Sequence, residues 1–327
     1  VQLLSLFCGA GGLDLGFHQS GCKIRLALDS SQAAVMTHKH NFPDTVSLQK
    51  DFLELGVKGL LELCRDYFDA NSSIGVLGGP PCQGFSRGNV KSHADDPRNQ
   101  LATLYIDFIA ELQKEFDVKF VVFENVMGIK DKKHYPTYKL ITSRLRSIGF
   151  DVHENELNAV DFGVAQERKR VILVALQKEL FKEKFTISKS TNQIKTVRDI
   201  IFGLPEPVFF RRKLCAEDIE HHPNHWTMMP KSEKFKNPDL LINKTRSFRA
   251  VFWDKPCPTI AYGNREIYVH PEKKRRLSIF ESMLLQGFPK TFVLKGTLSQ
   301  QVTQISNAVP PPMARQIALS IKKSIRG

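Results

Sequence analysis

The sequence predicts an α/β protein, a doubly wound parallel sheet joined to a smaller, loop-rich second domain. Three observations carry this. Short apolar runs alternate with segments of helical length and period up to about residue 180, the pattern of a parallel sheet with crossover helices. A glycine-rich stretch follows the first apolar run directly. After about Leu180 the rhythm breaks, and proline, histidine, aromatic and basic residues mix without a sustained period as far as His270.

Taken in order, Val1–Phe7 and Lys23–Leu28 read as the first two strands, and a third is expected to end at Asp51. Ile74–Leu77, Phe120–Phe123 and Val171–Leu176 read as later strands. Between them, Ser31–His40, Leu53–Phe68, Asn99–Phe116 and Thr137–Ser147 have helical length and periodicity. Gly21 and Gly149 sit where helices end on a glycine. Helical patterning returns at Ser278–Leu285 and Pro312–Ile325. The last 33 residues read as a helix returning to the first domain, so 1–180 with 295–327 is expected to be one domain and 181–294 the other. Ligands of such sheets bind beyond the carboxyl ends of the strands. The search therefore falls on residues 7–16, 29–31, 51–52, 78–98 and 124–128.

Composition narrows the function. With 42% hydrophobic and 25% charged residues, a disordered or collagen-like chain is excluded. No run approaches the ~18 apolar residues of a membrane span, and no signal core is seen, so a cytoplasmic protein is expected. The six cysteines have no CxxC spacing, which argues against a zinc ribbon or disulfide framework. Of the net charge of +13, residues 1–180 contribute 21 basic and 22 acidic side chains, 181–294 contribute 21 and 12, and 295–327 contribute 5 and none. A neutral first half followed by a basic second half suggests chemistry in one domain and a polyanion facing the other.

The first loop, Phe7-Cys8-Gly9-Ala10-Gly11-Gly12-Leu13, reads FxGxGG, whereas a dinucleotide GxGxxG would need its third glycine at Asp14. Asp29 closes the second strand where a carboxylate accepts hydrogen bonds from ribose hydroxyls. Asp51 follows the third, with Phe52 beside it to pack on a flat ring. Together these describe an adenosine-binding edge without a pyrophosphate cradle. Gly78-Gly79-Pro80-Pro81-Cys82-Gln83-Gly84-Phe85-Ser86 follows the strand Ile74–Leu77. The two prolines stiffen the approach to Cys82, and a buried apolar cysteine fits poorly between Pro-Pro and Gln-Gly, so Cys82 reads as a nucleophile. Glu124-Asn125-Val126 closes Phe120–Phe123, where desolvation prepares a carboxylate to hold a proton. Gln166-Glu167-Arg168-Lys169-Arg170 abuts the next apolar strand.

These motifs, in this order, resemble the DNA (cytosine-5-)-methyltransferases of bacterial restriction–modification systems over nearly the whole chain. Asp96-Pro97-Arg98, Gln286-Gly287-Phe288-Pro289 and Asn307-Ala308-Val309-Pro310 extend the resemblance. It implies a Rossmann-like S-adenosylmethionine-dependent methyltransferase sheet with a smaller, loop-rich target recognition domain at 181–294. It also implies a catalytic set of Cys82, Glu124, Arg168 and Arg170. The cofactor would be held by Phe7, Gly9, Gly11, Gly12, Leu13, Asp29, Ser30, Asp51, Phe52, Pro80, Leu101, Asn307 and Val309. Double-stranded DNA would be contacted by Gln83, Ser86, Arg98, Gln166 and Thr259. No metal is implied, and the expected state is a monomer at the nucleoid.

The chain departs from the family pattern at Asp29, where glutamate is more usual, at Ser306 for a glycine, and at Phe280 for an arginine before Glu281. The last bears on packing between the two domains. His221-His222-Pro223-Asn224-His225 has a metal-like composition but no matching cysteine pair. A tRNA cytosine-5 methyltransferase shares most of the catalytic set and is the alternative; the separate basic region of about 90 residues favours a DNA reader.

Overall fold

The computed structural model describes residues 1–70, 72–80, 98–180, 185–237, 248–259 and 268–326. The chain packs as two compact units. The first comprises residues 1–157, 169–188 and 314–327, and the second residues 158–168 and 189–313.

The first unit is built on a seven-stranded sheet. Its strands are β1 (Gln2–Leu6), β2 (Lys23–Asp29), β3 (Val46–Gln49), β4 (Ser73–Gly78), β5 (Asp117–Val126), β6 (Phe150–Asn158) and β8 (Lys169–Gln177), with β7 (Gln166–Glu167) outside the sheet. The order is β3-β2-β1-β4-β5-β8-β6. The inner strands are mostly apolar on both faces, as Leu3, Leu4 and Leu6 or Ile74, Val76 and Leu77 show, because a sheet covered on both faces exposes neither side-chain row. Helices α1 (Gly12–Gln19), α2 (Gln32–Asn41), α3 (Phe52–Tyr67), α4 (Arg98–Leu112) and α5 (Tyr135–Ser147) alternate with the strands. Ser31 and Asp51 cap α2 and α3, each side chain accepting from backbone N–H groups of the first turn.

Two features depart from the sequence reading. The strand at 169–177 runs antiparallel to β5, pairing Phe120 with Leu176 and Val126 with Arg170. The pattern could not reveal this, because a strand buried on both faces has the same apolar signature in either direction. β6 was not expected at all. It lies at the sheet edge and is polar over most of its length, so it carries little apolar signal.

Strand order reverses at β1, which pairs with β2 on one side and β4 on the other. The loops after β1 and β4 are therefore neighbours at the switch point, where open α/β sheets bind ligands.

The second unit is loop-rich. It holds the two-residue strand pairs β7 with β11 (Cys257–Pro258), and β9 (Val208–Phe209) with β10 (Trp226–Thr227). It also holds α6 (Val197–Ile201), α7 (Ile279–Leu285) and α8 (Leu298–Asn307). Helix α9 (Pro311–Arg326) starts in this unit and continues in the first. The single C-terminal helix expected from sequence is thus two, the earlier one marked by a Thr297–Gln300 capping box. Gln286 donates to the carbonyls of Ile305 (2.8 Å) and Ala308 (2.6 Å), fixing the end of α8.

Among the described residues, no helix is long and apolar enough to cross a membrane.

Candidate active site

The glycine loop leaves β1 through three residues of positive φ, Phe7 (57°), Gly9 (55°) and Gly11 (85°). Its path is fixed from β2. Cys8 N donates to the Leu28 carbonyl (3.1 Å) and Gly9 N to Asp29 Oδ2 (2.9 Å), while Ser31 N takes Asp29 Oδ1 (2.8 Å). Asp29 thus ties the first loop to the second. Burial pushes its carboxyl up, against the opposing effect of these two N–H groups. Gly12 and Leu13 open α1 and are buried.

Asp51 spends its Oδ1 on the N–H groups of Leu53 (2.8 Å) and Glu54 (3.4 Å). Phe52 is only 4% exposed and packs on the Phe7 ring, with centroids 4.2 Å apart. Its flat ring therefore meets a ring of this chain. Ser30 and Asp51, with Gln49, Lys50, Glu54 and Leu55, line an open cleft of about 460 Å³ beside the ends of β2 and β3.

At the end of β4, a Cβ on Gly78 would come within 2.4 Å of the Tyr105 ring, so only glycine fits there. Pro80 is buried, and its carbonyl accepts from Asn125 Nδ2 (3.3 Å). Leu101 is buried on α4. Nothing in the sequence singles out Asn125 from its motif; in the structure its side chain anchors Pro80, at the start of the cysteine loop. Cys82, Gln83 and Ser86 lie outside the described residues, as does the side chain of Arg98, whose backbone begins α4.

Glu124 stands on β5 opposite Ile172, and Arg170 is two residues along the antiparallel partner on the same face. Arg170 Nε lies 2.8 Å from Glu124 Oε1, with side chains 10% and 12% exposed. Glu124 Oε2 lies 3.2 Å from where a Cβ on Gly79 would stand, so the carboxylate also borders the cysteine loop.

In the second unit, Gln166 and Arg168 are fully buried while Glu167 is exposed, the alternation of an extended strand. The motif is therefore not the solvated basic face its composition suggests. Arg168 Nη2 donates to the Ser306 carbonyl (2.5 Å), and Ser306 Oγ donates to Val302 O (2.9 Å), which accommodates serine in place of the usual glycine. Thr259 Oγ1 donates to the Glu167 carbonyl (2.6 Å). Asn307 ends α8 and is exposed, while Val309 is buried. Glu281 receives both terminal nitrogens of Arg275 (2.9 Å each), and Phe280 stacks on His222 with centroids 4.1 Å apart. Arg275 thus supplies the guanidinium beside Glu281 in this chain.

Sheet order, glycine loop and acidic strand ends define the methyltransferase class of α/β fold. The sequence profile of C-5 cytosine-specific DNA methylase matches residues 1–323, and the chain belongs to that family as a DNA (cytosine-5-)-methyltransferase. The type II methyltransferase M.MthTI of Methanothermobacter thermautotrophicus is 32% identical over 100% of this chain and 98% of its own. M1.HphI of Haemophilus parahaemolyticus is 33% identical over 99% and 87%. A solved structure described as a DNA modification methyltransferase encoded within an E. coli prophage has a TM-score of 0.80 at 24% identity, covering all of both chains. The Entamoeba histolytica methyltransferase EhMeth gives 0.68 at 17% identity, over 100% of this chain and 99% of that one. At these identities the structural likeness speaks for the fold.

The family implies S-adenosylmethionine as methyl donor, and the described residues suit it. A Cβ on Gly9 would meet open space. Each Asp29 oxygen accepts one backbone N–H and keeps a lone pair for a hydroxyl.

Proposed function

We propose that this chain methylates C5 of cytosine within a specific sequence of double-stranded DNA, through a covalent bond from Cys82 to C6 of a base flipped out of the duplex. The observation that supports this most is the buried Glu124–Arg170 pair beside Gly79 and Pro80, two residues before Cys82. S-adenosylmethionine, when bound, supplies an electrophilic methyl group and leaves as S-adenosylhomocysteine.

In this reading Cys82, as thiolate, adds to C6 and moves an electron pair toward C5. Glu124 gives a proton to N3, and Arg170 holds the carboxylate that results. Arg168 donates to O2, so charge is met where it develops. Loss of the C5 proton to water then re-forms the C5–C6 double bond and returns the C6–S pair to Cys82, and N3 gives its proton back to Glu124. Asp29, Ser30, Asp51 and the glycine loop hold the cofactor, with Phe52, Pro80, Leu101, Asn307 and Val309 contributing. Gln83, Ser86 and Arg98 close over the DNA, while Gln166 and Thr259 contact it. The enzyme acts as a monomer in the bacterial cytoplasm and protects host DNA in a restriction–modification system.

Wild-type protein is expected to form a denaturation-resistant adduct with duplex DNA carrying 5-fluorocytosine, whose fluorine blocks the final elimination. Cys82→Ser is expected to lose both adduct and turnover. Bisulfite sequencing of DNA from expressing cells should show one methylated sequence. Substantial methylation by Cys82→Ser would sink the mechanism, and transfer to tRNA but not duplex DNA would move the substrate to the alternative reading.

A further inference from the structure

Beneath the glycine loop lies a buried polar chain that the reaction above does not use. Ser5 Oγ donates to Asp14 Oδ1 (2.7 Å), His38 Nε2 lies 2.8 Å from Asp14 Oδ2, and His38 Nδ1 lies 2.7 Å from Ser47 Oγ. None of the four residues exceeds 2% exposure. They come from β1, α1, α2 and β3, so one imidazole links four elements. The imidazole thus has a partner within hydrogen-bond distance at each ring nitrogen, the Asp14 carboxyl at Nε2 and the Ser47 hydroxyl at Nδ1. Both nitrogens are committed, and the ring plane is fixed at two points. Its face stacks on Phe42, with centroids 4.3 Å apart.

That fixed ring is one wall of the loop. A Cβ on Gly11 would meet Phe42 Cε2 at 2.5 Å and His38 Cδ2 at 3.0 Å, so the loop backbone lies directly against both rings. The loop is also tied to Leu28 and Asp29 of β2. Held by these contacts, its backbone keeps positive φ at Phe7, which is not glycine, as well as at Gly9 and Gly11. Such conformations persist only where their surroundings over-determine them. Cys8 Sγ lies with the Asp14 and His38 ligand atoms inside 4.8 Å, but a metal there would have to displace a hydrogen bond from His38.

We propose that His38, locked by Asp14 and Ser47, is a positioning residue for cofactor binding: it holds the glycine loop against Asp29 without touching the cofactor. This rests on the assignment of the loop and Asp29 to S-adenosylmethionine.

The test is binding of S-adenosylhomocysteine by calorimetry, with KM for cofactor and duplex DNA and kcat measured alongside. His38→Leu is expected to weaken S-adenosylhomocysteine at least tenfold and raise cofactor KM in parallel, leaving KM for DNA within twofold. His38→Gln keeps a donor for Asp14 and an acceptor for Ser47, and is expected to recover most of the loss. Unchanged binding by His38→Leu overturns the proposal. So does a parallel loss of cofactor and DNA affinity without recovery in His38→Gln, which marks a purely structural role. One zinc per wild-type chain, lost in His38→Leu, overturns it too. Should His38→Leu not fold, Ser47→Ala removes the partner of His38 Nδ1 at the loss of a single oxygen and should weaken binding about threefold; no change counts against the proposal. Asp29→Ala in the same assay tests the underlying assignment. If Asp29→Ala binds normally, the cofactor reading fails; if it weakens binding and His38→Leu does not, only the positioning role fails.

Discussion

The Glu124–Arg170 pair couples the proton of the proposed reaction to a single buried contact. Both side chains are about nine-tenths buried, and removing one partner of such a pair costs about 3–5 kcal/mol in comparable sites. Arg170→Leu is expected to slow single-turnover methylation severely, and Glu124→Gln likewise. Combined, they should cost less than the sum, with a coupling of about 1–3 kcal/mol. Additive losses would show that the contact does not act as a unit. In the sequence Glu124 stands out as a carboxylate closing an apolar strand, and Arg170 as the end of a basic run that abuts the next one. Their meeting was not legible, because it depends on the antiparallel direction of β8, and its apolar run is silent on direction. Asp29 stood out in the sequence as the carboxylate closing the second strand, whereas its bonds to the Gly9 and Ser31 N–H groups were hidden, because they depend on how the glycine loop folds back on β2.

At the scale of elements, the second unit is held around α7. Ser278 and Glu281 form its capping box, and His225 bridges Ser278 Oγ (3.0 Å) and the Pro205 carbonyl (2.7 Å). The histidines that resembled a metal site by composition are thus used in packing and hydrogen bonding. Burial pushes His222 down to about 4 and lowers His225 and His270 as well. Each is therefore neutral when folded and takes up a proton on unfolding. That stabilising preference is fully present above about pH 6.5 and shrinks as pH falls toward the folded values. Melting temperature should decline from pH 7 to pH 5, each histidine adding a slope of up to about 1.4 kcal/mol per pH unit. His222→Gln should flatten the dependence; an identical slope would mean that His222 does not contribute. Gly287 adds a second check, since its φ is 86° and a Cβ would come within 2.7 Å of Pro312 Cδ. Gly287→Ala should destabilise by about 1–3 kcal/mol in chemical denaturation. The motif around Gly287 was legible in sequence as a pattern, whereas α8, which Gln286 clamps, was hidden by its polar surface.

For the whole molecule, the charge is spread more evenly over the packed units than along the sequence. The first unit carries 26 basic and 21 acidic residues, net +5, and the second 21 and 13, net +8. The sharper contrast along the sequence arose because the basic segments 169–188 and 314–327 pack with the first unit, while 158–168 and 295–313 belong to the second. Charge alone therefore does not single out a DNA-facing unit, and both are expected to contribute to non-specific affinity. That affinity should fall steeply with salt, about tenfold or more between 50 and 200 mM, as lysines and arginines displace phosphate counterions. Sequence reading calls for a different measurement, because phosphate contacts fix register and carry no base information. Exchanging residues 189–270 for those of a relative with another target leaves Arg168, Asn307 and Val309 in place. The chimera is expected to methylate the relative's sequence, still at cytosine C5, with a salt dependence close to that of the parent. A folded chimera that keeps the original target would place base reading outside 189–270.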